Sequence, residues 1–215
     1  QEVNDCLKQY GVTPVKLFEQ KGLLKHGGAV FHGVYLSDED LEILKKNNFT
    51  IVSCPGSNMK LASGIAPIKK YLDKGMTIAL GTDGPASNNS LDMFKEMYLL
   101  TGLQKLLDKN PISIPAFEVL KMATVNGSIA MDMPNTMYLE KGQIADIIMI
   151  DLSRPSMQPI NNIVSNLVYS GSKDVIKMTM VNGKILYFNN QFYVNDTIEN
   201  IYKNAQKVTD ELNGR

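Results

Sequence analysis

The segment Thr77 to Asn89, TIALGTDGPASNN, constrains the fold more than any other part of this chain. A short apolar run ends at Gly81, and one aspartate, Asp83, follows before a stretch rich in Gly, Pro, Ser and Asn. This pattern predicts a buried strand that ends in a wide loop and presents a single carboxylate there. An aspartate in such a place is also a common turn or helix-capping residue, so its meaning depends on its neighbours.

Two earlier segments have the same design. AVFHG, from Ala29 to Gly33, is an apolar run that ends in His32. FTIVSCP, from Phe49 to Pro55, is a β-branched run, and Ser57 and Asn58 follow it. Each segment predicts a short strand with polar side chains just beyond its end.

Helical patterns separate the three predicted strands. The first begins at Ser37 with an S-x-x-D start, and it has acids in its first turn and lysines in its last. The second, Ile65 to Lys74, is closed by Gly75. Alternating strands and helices predict an α/β fold with a parallel sheet. Since catalytic groups of such folds sit at the carboxyl ends of the strands, the polar residues after the three strands are expected to share one site.

The later part of the chain has a different character. GQIADIIMIDL, the hairpin pattern Asp174 to Tyr187 around Asn182–Gly183, and the short run Phe192 to Val194 predict strands with no helices between them, hence an antiparallel sheet. Thr197 to Leu212 predicts a final amphipathic helix.

Three segments carry a resemblance to a known family: FHGVYLSDEDLEIL, CPGSNMKLASGIAPIKKYLDKGMTIALGTDGPASNNSLDMFKEM and GQIADIIMIDL. They resemble the amidohydrolase superfamily, in particular the branch of 5-methylthioadenosine/S-adenosylhomocysteine deaminases and related chlorohydrolases. Members of that superfamily are metal-dependent hydrolases on a (β/α)8 TIM-type barrel. An H-x-H pair after the first strand, a histidine after the fifth and an aspartate after the eighth bind the metal.

This chain has two histidines, His26 and His32, and no H-x-H pair. The resemblance therefore implies a C-terminal fragment: barrel strands six to eight, part of a small β-sandwich and a C-terminal helix. The expected divisions are 1–133 for the partial barrel, 134–195 for the β-sandwich portion and 196–215 for the helix.

The resemblance also implies roles for residues of the site. Asp83 corresponds to a catalytic metal ligand, for zinc or another divalent metal such as iron. His32 corresponds to a catalytic histidine beside the attacking water that binds no metal. Ser57 and Asn58 correspond to a substrate-binding segment, although they can equally pack and cap the next helix.

Three further side chains receive more modest interpretations. Ser87 and Asn88 are expected to position the loop around Asp83 through hydrogen bonds. Cys54, on an apolar strand, is expected to be a buried and inert thiol.

For the full-length protein, the resemblance implies hydrolytic deamination of an adenosine-type substrate, 5-methylthioadenosine or S-adenosylhomocysteine. One alternative is another amidohydrolase, such as a guanine or cytosine deaminase or a triazine chlorohydrolase. Another is an inactive structural fragment, because a catalytic zinc takes three protein ligands and this chain offers fewer. The isolated chain is accordingly expected to be inactive and to hold no metal.

Composition restricts the partners. Lys+Arg and Asp+Glu number 22 each, so the net charge is zero, which argues against nucleic-acid binding. A small nucleoside-type molecule is the expected ligand, and exposed strand edges predict a homo-oligomer or pairing with another chain. Two cysteines and no long apolar stretch favour a reducing cytoplasm rather than a membrane.

Overall fold

Three parallel strands form the sheet that positions the candidate site. They are β1 (Gly28–Phe31), β2 (Phe49–Ser53) and β3 (Ile78–Leu80), in the order β1-β2-β3. Their carboxyl ends are level, because the last residue of each outer strand pairs with one of the last two residues of β2. The predicted α/β class and parallel pairing are therefore confirmed.

The computed structural model describes residues 1–214, whose contacts fall into two compact units. The first unit contains residues 1–143 and 152–175, and it holds the parallel sheet. The second contains residues 144–151 and the chain from Ile176 onward. The divisions predicted at 133 and 195 stay predictions.

Most of the remaining structure is helical. The helices of the first unit are α1 (Glu2–Tyr10), α2 (Pro14–Gln20), α3 (Asp38–Lys46), α4 (Pro55–Lys60), α5 (Ile68–Asp73), α6 (Pro85–Asn88), α7 (Met93–Asp108), α8 (Ala116–Ala123), α9 (Val125–Ala130) and α10 (Ile163–Ser170). Short 3-10 turns lie at Pro134–Thr136, Pro155–Met157 and Lys173–Val175. The second unit has one helix, α11 (Ile198–Leu212), among its described residues.

Local chemistry explains where the helices beside the sheet begin. Ser37 caps α3 in a capping box with Asp40, as predicted: the serine hydroxyl accepts from the Asp40 amide at 3.1 Å, and the aspartate accepts from the Ser37 amide at 2.9 Å. Helix α5 starts at Ile68, later than predicted. Pro67 precedes it, and the residue before a proline is disfavoured in helical conformation.

The segments after β2 and β3 are more ordered than predicted. Ser57 and Asn58 lie in helix α4 rather than in a loop, and the stretch after Asp83 contains helix α6. Both helices have a proline at their first position, Pro55 and Pro85. Its fixed φ suits a helical first turn, and its missing N–H has no partner to lose there.

The second unit has a four-stranded antiparallel sheet in the order β4-β5-β6-β7. The strands are β4 (Ile147–Ile150), β5 (Ile176–Val181), β6 (Lys184–Phe188) and β7 (Gln191–Phe192). The hairpin predicted around Asn182–Gly183 is confirmed as the β5–β6 turn.

One expectation about this sheet was wrong. Between β4 and β5 the chain forms helix α10, although the strands then pair antiparallel as predicted. Asn162 caps α10 by accepting from the Ser165 amide at 2.9 Å. The helix was missed because the polar run before it predicts only a loop. The predicted final helix is confirmed, with Thr197 as its cap.

Within residues 1–214, none of the helices combines the length and the apolar character needed to cross a membrane.

Candidate active site

Four of the predicted residues lie together at the carboxyl end of the parallel sheet. The His32 Nδ1 atom lies 2.8 Å from Asn58 Oδ1, and the Ser57 hydroxyl donates to Asp83 Oδ2 at 2.8 Å. His32 Nε2 lies 3.8 Å from the same Asp83 oxygen. The ends of all three strands therefore contribute to one connected cluster.

His32 occupies an unusual backbone position directly after β1. Its φ is 67°, in the left-handed region, and Gly33 follows with a φ of 61°. The Gly33 amide donates back to Phe31 at 2.8 Å, and the Tyr71 hydroxyl donates to the Gly33 carbonyl at 2.7 Å. A Cβ at position 33 would lie 2.8 Å from Ile51 Cγ2, so a glycine is needed there. The sharp turn directs the imidazole toward the neighbouring strand ends.

Asp83 has a left-handed backbone as well, with a φ of 59°. Its Oδ1 accepts from the Gly84 amide at 2.7 Å. The pKa of the Asp83 carboxyl is lowered to about 2, first by hydrogen bonding from the Ser87 hydroxyl, then by Ser57 and Gly84, with a smaller contribution from nearby His32. The Ser87 hydroxyl also lies 3.1 Å from the Gly84 carbonyl, so its one proton has two acceptors and the Ser57 bond is the firmer. The carboxyl is therefore ionised at neutral pH.

The hydrogen bond to Asn58 sets the tautomer of His32. An amide oxygen can only accept, so Nδ1 carries the ring proton, and Nε2 of the neutral imidazole presents a lone pair. The separation of Nε2 from Asp83 Oδ2 is too long for a direct hydrogen bond. A water molecule can lie within hydrogen-bonding distance of both atoms, where the lone pair is able to take its proton.

Ser57 and Asn58 are buried, with 0% and 3% of their surfaces exposed. Their side chains bond to Asp83 and His32, which is a positioning arrangement. Their predicted contact with substrate stays a prediction.

Asn88 lies behind the Asp83 segment and joins it to a residue that the sequence did not single out. Its amide donates to the Thr82 carbonyl at 2.7 Å and to Glu96 Oε1 at 2.7 Å. Glu96 is fully buried on α7, and its Oε2 accepts from the Gly56 amide at 2.8 Å. An acid on the face of α7 that also carries buried Leu100, four residues later, was the only signal for it.

Cys54 is buried, as predicted, with 1% of its surface exposed. His26, the second histidine, is exposed in a turn.

The donor set for a metal is incomplete in the part of the chain that the structure describes. Residues 1–214 contain no cluster of three or more His, Cys, Asp or Glu side chains arranged to hold a metal ion. Asp83 and His32 provide two candidate donors, whereas a catalytic zinc takes three protein ligands. The residues of this chain alone therefore do not fit a catalytic metal.

Comparison with known proteins identifies the family. A model described as the amidohydrolase family matches residues 1–186. The chain belongs to this family. Among curated proteins, it is 44% identical over 211 residues to a 5-methylthioadenosine/S-adenosylhomocysteine deaminase of Pyrococcus furiosus, covering 98% of this chain and 48% of the relative. The chain thus spans about half the length of the curated relatives that it matches, and the predicted resemblance is confirmed.

Solved structures of this amidohydrolase family share the fold. An adenosine deaminase from Xanthomonas campestris with bound zinc superimposes with a TM-score of 0.93 at 29% identity, over 100% of this chain and 49% of that one. A mutant atrazine chlorohydrolase from Arthrobacter aurescens, complexed with zinc and atraton, gives a TM-score of 0.88 at 26% identity, over 96% of this chain and 46% of that one. Both structures contain zinc, which indicates a divalent metal in the family.

Proposed function

We propose that this chain contains barrel strands six to eight of a metal-dependent amidohydrolase, and that the whole protein deaminates an adenosine-type nucleoside. In this assignment β1, β2 and β3 are the sixth, seventh and eighth strands. Asp83, which follows the last of them, is then the carboxylate that the family resemblance expects after strand eight. The 44% identity to a deaminase of 5-methylthioadenosine and S-adenosylhomocysteine supports that substrate class.

The observation that carries the proposal is the pairing of His32 with Asp83. An ionised carboxylate, fixed by the Ser57 hydroxyl and the Gly84 amide, lies 3.8 Å from an imidazole nitrogen that presents a lone pair when the ring is neutral. These are the groups that hydrolysis needs: one to orient a water and one to accept its proton. Asp83 has 33% and His32 40% of its side chain exposed, so both can reach a substrate.

The reaction balances without further reagents. The oxygen of a water adds to the purine carbon that carries the amine, one water proton ends on the adjacent ring nitrogen and the other on the amine, and the C–N bond breaks to release ammonia, so the carbon keeps a carbonyl oxygen. In this scheme His32 Nε2 accepts a proton from the water and returns it to the leaving nitrogen, and Asp83 accepts a hydrogen bond that holds the water in place.

The proposal assigns Asp83 as one ligand of a divalent metal, zinc or iron. Because the donor set is incomplete within this chain, the remaining ligands come from outside it. The isolated chain is then expected to be inactive and to bind zinc weakly or not at all.

A second candidate is a different amidohydrolase reaction. The likeness to the atrazine chlorohydrolase, at a TM-score of 0.88, favours a triazine hydrolase as this alternative. A guanine or cytosine deaminase belongs to the same group of alternatives. A third candidate is a purely structural chain, which the incomplete donor set favours for the isolated polypeptide.

We also propose that strand edges give the protein its partner. In the described residues, β1 and β3 each pair on one side only, and Phe31 at the end of β1 is 62% exposed. Unpaired edges promote pairing with further strands, from a second copy or another chain. Light scattering of the chain alone should show a dimer or larger species, and a well-behaved monomer at high concentration contradicts this. We also propose that the protein is located in a reducing cytoplasm.

A chimera tests the function directly. This chain replaces the matched 48% of the Pyrococcus furiosus relative, and ammonia release is measured with zinc present. We expect release from 5-methylthioadenosine or S-adenosylhomocysteine, and release slower by ~10²–10⁴-fold or more from the same chimera with Asp83→Ala. A folded chimera that acts only on guanine, cytosine or a triazine supports the second candidate. A folded chimera inert toward every substrate contradicts both enzyme proposals.

A further inference from the structure

A buried acid outside the proposed chemistry connects the two segments that carry the site. Glu96 has 0% of its surface exposed. Its two carboxylate oxygens accept from the Gly56 amide and from the Asn88 side chain, which also donates to the Thr82 carbonyl. We call these four residues the Glu96 bracket.

The bracket ends immediately before the site residues on both sides. Gly56 precedes Ser57 and Asn58 in the first turn of α4. Thr82 precedes Asp83, and Asn88 closes the short helix α6 that follows it. One carboxylate therefore joins the segment that orients His32 and Asp83 to the segment that contains Asp83.

The chemistry of the bracket requires a carboxylate at position 96. Both of its partners are donors, and an ionised carboxylate is the side chain that only accepts. Burial raises the pKa of Glu96, and the bonds from Gly56 and Asn88 oppose this rise. Burying a charge is unfavourable unless it is fully hydrogen-bonded, so a buried acid that only filled space would destabilise the fold.

The backbone at position 56 is adapted to the same contact. A Cβ on Gly56 would clash with Glu96 Oε1 and would lie 2.9 Å from Asn88 Nδ2. A glycine thus allows the first turn of α4 to approach the carboxylate closely. The close approach brings the next two residues, Ser57 and Asn58, within reach of Asp83 and His32.

We propose that Glu96 is a positioning residue that fixes the spacing between the first turn of α4 and the Asp83 segment, and thereby the orientation of His32. Its importance for catalysis rests on the proposed function. Its effect on the geometry of His32 does not, so the two can fail separately.

The test uses ring ¹⁵N signals of the full 215-residue chain. With two histidines in the sequence, the spectrum contains two imidazoles, and exposed His26 is an internal reference. Glu96→Gln puts an NH₂ group against one of two donors, so one bond of the bracket is lost. We expect the His32 Nδ1 signal to move toward that of a freely exchanging imidazole, while the His26 signals stay in place.

Asp40→Asn is the matched control. Asp40 is another buried carboxylate, 2% exposed, that accepts from a backbone amide, and its hydrogen bonds go to Ser37 and Thr13 rather than to the site. The Asp40→Asn variant should lower the free energy of unfolding without moving the His32 signals. If Glu96→Gln likewise lowers the free energy of unfolding and leaves the His32 signals unchanged, Glu96 is only structural and the proposal is wrong.

A second variant decides the matter if Glu96→Gln does not fold. Asn88→Ala keeps the Glu96 bond to Gly56 and removes the bond to Thr82. The amide proton of Gly84, which donates to Asp83, should then shift upfield and exchange faster, and the His32 Nδ1 signal should move in the same direction as in Glu96→Gln because the spacing is no longer fixed. A folded Asn88→Ala variant with an unchanged His32 Nδ1 signal contradicts the proposal.

Discussion

Two turns of this molecule each have positive φ at two successive residues but carry different side chains. The turn His32–Gly33, after β1, has φ values of 67° and 61°. The hairpin turn Asn182–Gly183, between β5 and β6, has φ values of 48° and 75°. Asn-Gly is the preferred pair where both central residues need positive φ, so the hairpin turn agrees with its local sequence.

The turn His32–Gly33 is instead stabilised by contacts with residues that are distant in the sequence. Residues other than Gly are uncommon at positive φ and persist there when their surroundings fix them. At His32 the surroundings are the Val52 carbonyl, which accepts from its amide at 2.8 Å, and the Tyr71 hydroxyl on Gly33. Asp83, with a φ of 59°, is a second case. The left-handed backbone at His32 and Asp83 lies in the candidate site and has no Asn-Gly pair to explain it, whereas at Asn182–Gly183 the local sequence explains it.

The largest expected effect is the loss of activity when Asp83, in the site and not in the hairpin, is replaced. Asp83→Ala in the whole enzyme should lower activity by ~10²–10⁴-fold or more, since it removes an oriented proton acceptor together with a proposed metal ligand. Metal content should fall, and the fold should persist because the side chain is partly exposed at a strand end. Steady-state kinetics with metal analysis measures both quantities.

His32→Asn should have nearly as large an effect on activity, ~10²–10⁴-fold, because it removes the proton-accepting nitrogen. Asparagine tolerates left-handed backbone, so stability should stay close to that of the parent. Metal content should also be retained, since His32 is assigned no metal bond. If His32→Asn loses its metal while Asp83→Ala keeps metal and activity, the assignment of roles is wrong.

Cys54 lies at the remaining strand end, which has no left-handed backbone: its φ is −126°. The pKa of its thiol is raised to about 11, chiefly by burial, with the charges of Asp83 and Glu96 adding to the rise. Because the shift favours the neutral thiol, at about pH 8 the thiolate fraction should be ~100-fold below that of an ordinary thiol, and it should grow as the pH rises toward the pKa.

Ellman's reagent checks this expectation. Half-exposed Cys6 should react in the folded chain, and Cys54 only after denaturation or at much higher pH. Cys54→Ser identifies which thiol reacts. Equal rates for the two thiols in the folded chain would show that the end of β2 is open and reactive.

The smallest expected effect is on the hairpin. Asn182→Ala should lower the free energy of unfolding by about 1–2 kcal/mol, because alanine gains no local hydrogen bond and has a Cβ that opposes left-handed backbone. Asn182→Gly is the matched control and should stay within about 0.5 kcal/mol. Neither should alter activity. Denaturant titration that finds Asn182→Ala neutral would remove the distinction between the two turns.

Sequence patterns predicted the parts of the site that follow strands directly. His32 and Asp83 each come within three residues of an apolar run, and the parallel order of the runs implies that they meet. The patterns did not predict that Ser57 and Asn58 would be helical, because a proline after a strand predicts a turn as readily as a helical first residue. Helix α10 was missed because the polar run before it predicts only a loop.

By itself, the sequence determined the α/β order of β1 to β3, the capping box of α3, the Asn182–Gly183 hairpin and the family. These features are local: each depends on residues within a few positions of one another. Only the tertiary structure decided that Asn58 sets the tautomer of His32, 26 residues away, and that Glu96 holds Gly56, 40 residues away. A hydrogen bond between distant residues leaves no periodic pattern in the chain, because its geometry exists only after the strands and helices have packed.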